Sequence, residues 1–424
     1  MGLVLLGLFL LLTAVGVPVA FGLCLSVSVV LFFFMDMPLV MVTQIMYSGI
    51  DSFSFMAVPF FMLAGAFMSA GGVTARLVSF SQSLVGSFRG GLAQTVSVSG
   101  CFFAAISGSS AATTAALGST MIGELEKKNY SREWATGIVA SSGVVGIVIP
   151  PSITLVVYGV IADTSIGDLF VGGLIPGIMM GLAMMLVSWY LAKKNGIEAE
   201  GSFSIKAALV SFKDSFFALM TPVIIIGGIY GGIFTPTEAA AVAAVYGIFV
   251  GFFIYKELKF KDFPKIIFQA VTGTTLIMFL VGAANVFGWV ITNLQIPQQV
   301  AAFVVSITSS PIVFLLAMNV LLLFIGTLVN ASAAVVILTP IFLPVAITLG
   351  IDPLFFGVLM VVNLAIGCIT PPVGLDLFVA SAIAKVPIER VIKATLPYLY
   401  ALLVVLMILT IFPWFITVLP SLLQ

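Results

Sequence analysis

Two proline pairs, Pro150-Pro151 and Pro371-Pro372, stand in the middle of long apolar runs. Each follows a glycine by four positions, in GIVIPPS from Gly146 and in GCITPPV from Gly367. Proline lacks the N–H that continues a helix, and its ring clashes with the preceding turn, so a pair in mid-run breaks the helix. The break strips carbonyls of their helical donors. In lipid, such backbone survives only where protein or a polar cavity surrounds it. Carbonyls at the end of a half-helix line a pocket with oxygen, which suits a small hard cation. One pair could be a packing kink, whereas two at matching places in the chain point to a pair of ion sites.

Small polar residues cluster in two other apolar regions: Ser107, Gly108, Ser109, Ser110, Thr113 and Thr114 in one, Gly326, Thr327, Asn330 and Ser332 in the other. Their hydroxyls and amide offer neutral oxygens to a cation and donors to a carboxylate. A helix starting after each cluster points its positive end at an anion. Close packing of helices in lipid also uses small residues. That explains Ala111, Ala112, Ala115 and Ala116 well and Asn330 poorly. Asp376, four residues after Pro372, is the only acidic residue deep in an apolar run, whereas Asp163, Asp168, Glu238 and Asp352 fall at run ends. A buried carboxylate in a span is a functional candidate, with a local capping role as the alternative. Ser109, Thr113, Thr114, Ser152, Ser332, Gly374 and Asp376 are the candidate substrate contacts.

The rest of the composition excludes other chemistry. There is no His, which removes imidazole metal sites and His proton relays. Cys24, Cys101 and Cys368 are scattered at no ligand spacing and read as small buried hydrophobes. No Gly-Lys dipeptide exists to build a phosphate-binding GxxxxGK[ST] loop, so the chain is no ATPase by itself. No cofactor is expected beyond a coupling ion.

The elements that must hold these residues follow from the medium. Of 424 residues, 61% are hydrophobic and 8% charged, against about 45–50% and 25% in soluble domains. Sixteen basic and sixteen acidic side chains cannot cover a globule of this size. The chain therefore reads as an all-α polytopic membrane protein, and a soluble enzyme or secreted module is excluded. A net charge of zero leaves no basic field for nucleic acid. The opening MGLVLLGLFLLL has no basic n-region and Leu6 at the sixth position, so neither a cleaved signal peptide nor myristoylation is expected.

A spanning helix needs ~20 apolar residues. Suitable runs cover 3–16, 18–36, 53–71, 135–162, 169–192, 216–234, 237–255, 270–294, 353–384 and 394–419. The regions 90–120 and 311–349 are interrupted midway by the polar clusters. If these two are re-entrant hairpins, every Lys and Arg, at 76–89, 127–132, 193–213, 256–265 and 385–393, falls on one face. The positive-inside rule makes that face cytoplasmic and puts both termini outside.

The halves also resemble one another. Gly146 maps onto Gly367 and Pro176 onto Pro397 at a shift of 221, Ser110 onto Ser332 at 222, and Pro18 onto Pro236 at 218. One repeat is read as 1–200 and the other as 201–424, inverted in the membrane. Inverted repeats with broken helices are a mark of secondary transporters. A transport domain would hold the hairpins and broken helices, and a scaffold the spans 3–36, 53–71, 216–255 and 270–294. Segments 74–89 and 256–265 are expected as amphipathic arms on the membrane surface. Phe32, Phe33 and Phe34, with Phe53, Phe55, Phe60, Phe61, Phe67, Phe80 and Phe88, suggest a docking surface for a membrane partner.

The hairpin motifs SGSSAATTAA and NASAAVVILTP, each followed by a GxxxPP break, together with FFMLAGAFM (60–68), resemble the large membrane subunit of the tripartite ATP-independent periplasmic (TRAP) transporters over essentially the whole chain. The resemblance implies a bacterial inner-membrane protein of ion-transporter-like fold with an elevator-type transport domain. It implies two Na⁺ sites, one from Ser107, Gly108 and Ser110 with Gly146, Ile149 and Pro151, the other from Gly326, Thr327 and Asn330 with Gly367, Thr370 and Pro371. It implies a small four-helix membrane subunit, expected as a separate polypeptide, and a periplasmic substrate-binding protein that delivers an organic acid, sialic acid or a C4-dicarboxylate. A stand-alone Na⁺/dicarboxylate or citrate symporter is the alternative. A membrane-embedded enzyme would need a nucleophile–base pair or metal ligands at depth, and a channel a charged ring or carbonyl filter; neither is visible.

Overall fold

The computed structural model describes residues 1–199 and 203–423. The first half folds as α1 (Gly2–Ala14), α2 (Val19–Phe34), α3 (Val40–Ile50), α4 (Ala57–Ala70), α5 (Val73–Val85), α6 (Gly91–Ser107), α7 (Ser110–Lys127), α8 (Arg132–Gly143), α9 (Ile153–Ile161) and α10 (Ile166–Lys194). The second contains α11 (Ile205–Tyr230), α12 (Pro236–Phe249), α13 (Phe263–Asn293), α14 (Ile296–Ile307), α15 (Pro311–Leu328), α16 (Ala331–Thr348), α17 (Pro353–Gly367), α18 (Leu375–Ala384), α19 (Ile388–Ile411) and α20 (Trp414–Leu423). Among the described residues, eight helices are long and apolar enough to cross a membrane. The boundary read at 200/201 lies outside the described residues.

The element order recurs. α5 begins at Val73 and α14 at Ile296, α6 at Gly91 and α15 at Pro311, α7 at Ser110 and α16 at Ala331, α8 at Arg132 and α17 at Pro353, α10 at Ile166 and α19 at Ile388, every pair offset by 220 to 223 positions. The two interrupted regions are helical hairpins, α6/α7 and α15/α16. The two proline-bearing runs are broken, α8 from α9 and α17 from α18.

Several boundaries differ from the sequence reading. Segment 256–265 is not an amphipathic helix: Lys256 takes a left-handed φ of 57°, the Glu257 and Leu258 N–H groups both donate to Gly251 O, and α13 starts only at Phe263, followed by Pro264. The counterpart of α5 in the second half is α14 instead, an amphipathic helix in what reads as an uncharged outer loop. Its polar stripe comes from Gln298, Gln299 and Ser306, so a reading keyed to Lys and Arg passes over it. α3 likewise occupies an expected loop; at 11 residues it is too short to register as a span. The run 394–419 ends as a helix at Ile411, before Pro413, and α20 follows.

Contacts tie the basic segments to one another. Arg76 pairs with Glu257 at 2.6 Å and stacks over Tyr255 at 3.8 Å. Arg132 donates to Ala384 O at 2.7 Å, Arg390 meets Glu133 at 3.3 Å, and Arg89 bridges to Ala199. Polar groups buried among apolar side chains pair across elements: between α8 and α19, Trp134 Nε1 donates to Tyr398 Oη at 2.7 Å, and between the second broken helix and the second hairpin, Asn363 Nδ2 donates to Asn319 Oδ1 at 2.9 Å. Such bonds between membrane helices contribute about 0.6 kcal/mol each.

The aromatic cluster divides. Phe55, Phe61 and Phe67 are buried core residues and Phe80 is nearly so, whereas Phe32, Phe33, Phe34, Phe53 and Phe88 are exposed. Only the second group can face a partner.

Candidate functional site

The first hairpin tip lies on the first broken helix. Gly108 ends α6 with a left-handed φ of 61°, and its carbonyl accepts from the Ile153 N–H at 3.4 Å. Ser107 Oγ and Thr113 Oγ1 stand 2.8 Å apart, and Thr113 Oγ1 also donates to Ser109 O at 2.8 Å, which folds the tip into a closed loop. Gly146 meets this loop edge-on: a Cβ there would stand 2.5 Å from Thr113 Oγ1 and 2.6 Å from Ser109 O. The glycine is needed for close approach, not for an unusual φ.

The second junction repeats the geometry. A Cβ on Gly367 would lie 2.7 Å from Gly326 Cα, and the Gly374 N–H donates to Thr327 O at 3.0 Å. Asn330 caps α16, its Oδ1 accepting from the Ser332 N–H at 3.0 Å. Both Pro-Pro bonds are cis. Three carbonyls near the breaks are not bare: Ile147 O accepts from Ser152 Oγ, Gly367 O from the Thr370 N–H and Cys368 O from the Asp376 N–H. Each keeps a second lone pair for a cation. The structure thus packs Gly108 against Pro151 and Ile153 and Ser109 against Gly146 at one junction, and Gly326 against Gly367 and Thr327 against Gly374 at the other; Ser107, Ser110, Ile149, Asn330, Thr370 and Pro371 belong to the same tips and breaks by chain position.

The two tips meet. Thr154 Oγ1, in the first turn of α9, lies 3.1 Å from Ser332 Oγ at the start of α16. Beside them is a cavity of about 420 Å³, lined by Ser109, Ser110, Thr154, Asn330 and Ser332 on one wall and by Met62, Gly273 and Leu280 of α4 and α13 on the other. Its polar groups are neutral. Of the candidate substrate contacts, Ser109 and Ser332 line this cavity. Ser152 is fully buried, donating to Ile147 O and capping α9, so its hydroxyl serves the break. Thr113 is spent within the tip, and Thr114, fully buried, packs against Gly143 of α8. Gly374 belongs to the second junction.

Asp376 is fully buried in the first turn of α18, and neither of its carboxylate oxygens has a hydrogen-bond partner among the described residues. Ser110 lies beside it without a hydrogen bond of ordinary geometry, and Cys368 adjoins both. The carboxylate of the second half therefore stands next to the hairpin tip of the first. Thr154 is the cavity residue that sequence reasoning missed. The available signal was its place just past PPS, where the repeat puts Leu375, another lining residue.

Among known proteins, the chain is 45% identical over 97% of its length to the isethionate TRAP transporter permease protein DctMQ of Oleidesulfovibrio alaskensis, of which it spans 65%. It is 45% identical to the C4-dicarboxylate TRAP transporter large permease protein DctM of Pseudomonas aeruginosa, covering 88% of this chain and 87% of that one. It is 39% identical to the sialic acid TRAP transporter large permease protein SiaM of Vibrio cholerae, covering 96% and 95%. The crystal structure of the YdaH transporter of Alcanivorax borkumensis shares the fold, with a TM-score of 0.66 at 16% identity over 87% of each chain. These relatives are transport permeases rather than enzymes. Residues 6–415 match the family described as "Tripartite ATP-independent periplasmic transporter, DctM component". The chain belongs to that family: it is a multi-pass membrane protein, the large permease component of a tripartite transporter.

Proposed function

We propose that this component imports a small organic anion on a Na⁺ gradient, by carrying the two junctions and the cavity between them across the bacterial inner membrane. One observation carries the reading: two tip-on-break junctions, related by the repeat, converge on a single hydroxyl-lined cavity. Neutral carbonyls and hydroxyls suit Na⁺. An anion among neutral donors gains from cations held beside it, which would couple the two. Isethionate, C4-dicarboxylates and sialic acid, named for the relatives, share a carboxylate or sulfonate, and an organic acid of this kind, sialic acid or a C4-dicarboxylate, is the substrate we assign. The basic segments then face the cytoplasm and both termini the periplasm, which leaves the two halves, 1–200 and 201–424, inverted. A small four-helix membrane subunit would seat on exposed surface such as Phe32, Phe33 and Phe34. A periplasmic substrate-binding protein would deliver the acid.

Vesicles holding the complete three-component system test the driving force. Uptake should follow an imposed Na⁺ gradient and fail when K⁺ replaces Na⁺. Equal uptake on a proton gradient without Na⁺ would refute the coupling.

The elevator reading divides the chain into a mobile part (α6–α10 and α15–α19) and a scaffold (α1, α2, α4 and α11–α13) with its arms α5 and α14. Cysteines introduced at Ala112, near the first tip, and at successive depths along α4 should crosslink at positions separated by much more than one helical turn, ~5.4 Å. Crosslinking at one depth only, with transport intact, would favour a rocking mechanism about a fixed site.

A further inference from the structure

A second cavity, of about 660 Å³, lies between α4, the first hairpin and the start of α13, on the side of the basic segments. Met62 and Ser109 line both this vestibule and the central cavity. The Met62 methyl group packs against Gly273, so a flexible thioether side chain, together with Ser109, borders both spaces. Along α13, Lys265, Gln269 and Gly273 recur at four-residue intervals and form one stripe from the vestibule to this border. The facing wall, on α7, carries Ala112, Ala116 and Ser119 and no charge. Lys265 is the only cation lining the vestibule and joins no ion pair among the described residues. Asp262, immediately before α13, is the only anion there among the described residues.

We propose that Lys265 and Gln269 form a transient binding site for the carboxylate or sulfonate of the transported anion, occupied after it leaves the hairpin tips and passes Met62. This rests on the transport reading above. At the tips the anion has only neutral donors and co-bound cations. In the vestibule the Lys265 ammonium and the Gln269 amide replace them, so the charge does not cross the border unaccompanied. The first turn of α13 adds its positive end to the same side. Asp262, further toward the mouth, repels the same anion and keeps the stop brief.

The test uses the complete system in vesicles, with succinate, isethionate and N-acetylneuraminate tried in turn and the acid that wild type carries taken as probe. Reversing the charge in Lys265→Glu should slow Na⁺-driven uptake about tenfold, and Lys265→Arg should stay near wild type. A second readout does not depend on turnover. In a background with Cys24, Cys101 and Cys368 replaced by alanine, maleimide labelling of a Ser119→Cys variant, on the facing wall of the vestibule with Lys265 intact, should be slowed several-fold by the carried acid with Na⁺, and adding Lys265→Glu should remove that protection. A wild type that carries one of the acids, alongside Lys265→Glu that matches it and labelling that ignores the acid, overturns the site alone. A wild type that carries none of the three overturns the transport reading and the site with it.

Discussion

Gly367→Ala should abolish transport while leaving the protein folded and in its complex. Gly367 and Gly326 face each other backbone to backbone, and a Cβ on Gly367 would stand 2.7 Å from Gly326 Cα and 2.8 Å from its carbonyl carbon. Neither atom belongs to a side chain that could rotate away. Gly367 has no left-handed φ, so alanine fits its backbone and the whole cost is overpacking, about 1–3 kcal/mol. The hairpin tip must lift off the break to relieve it. A misplacement approaching 1 Å at such a site costs on the order of a hundredfold in rate, and uptake measured in vesicles should fall by about that much. Gly123→Ala is the control, because nothing lies within 4 Å of a Cβ there; helix propensity then makes it neutral or slightly stabilising. Wild-type uptake by Gly367→Ala, at unchanged Na⁺ dependence, would show that the junction holds no ion.

The second large effect belongs to Asp376. A fully buried carboxylate with neither oxygen hydrogen-bonded within the chain is expensive when ionised, and a capping role would have left it bonded to backbone N–H groups, as Asp352 is to Leu354 and Phe355. We expect Asp376→Asn, which keeps the shape and removes the charge, to lose transport by about two orders of magnitude, a deficit of roughly 2.7 kcal/mol. The same variant should melt no lower than wild type in the absence of Na⁺, because the cost of the buried charge is gone. Wild type should rise in melting temperature when Na⁺ is added, and the variant should lose most of that rise. Transport at the wild-type rate with the thermal shift intact would reduce Asp376 to packing.

Much of this architecture is written in local chemistry. Pro150-Pro151 and Pro371-Pro372 break their helices wherever they are placed, because the missing N–H is a property of the residue. Gly146 and Gly367 lie where close approach is needed, and the polar tips at 107–110 and 326–332 end the hairpin helices that flank them. Reading 90–120 and 311–349 as hairpins is what puts every Lys and Arg on one face, so charge pointed to the hairpins before any helix is seen. Side-chain direction was less legible. Ser109, Thr113, Thr114, Ser152 and Ser332 are alike as polar residues near a tip or a break. Yet Ser109 and Ser332 line the cavity, while Thr113, Thr114 and Ser152 turn to neighbouring backbone or to another helix.

The amino-acid sequence by itself determined the medium, the breaks, the hairpins and the repeat, since composition, missing donors and charge act without regard to tertiary neighbours. Only the tertiary structure decided which face of each helix is inside. In a soluble protein an apolar stripe opposite a polar one gives that answer. Here lipid and core are equally apolar, so Phe61 and Phe67, which are buried, look the same in sequence as Phe32 and Phe33, which are exposed. The same indifference hid α14, whose amphipathic character rests on uncharged Gln298 and Gln299, and the meeting of Thr154 with Ser332, 178 positions apart in the chain. Packing of one half against the other places those two hydroxyls 3.1 Å apart, and no local preference of either residue encodes it.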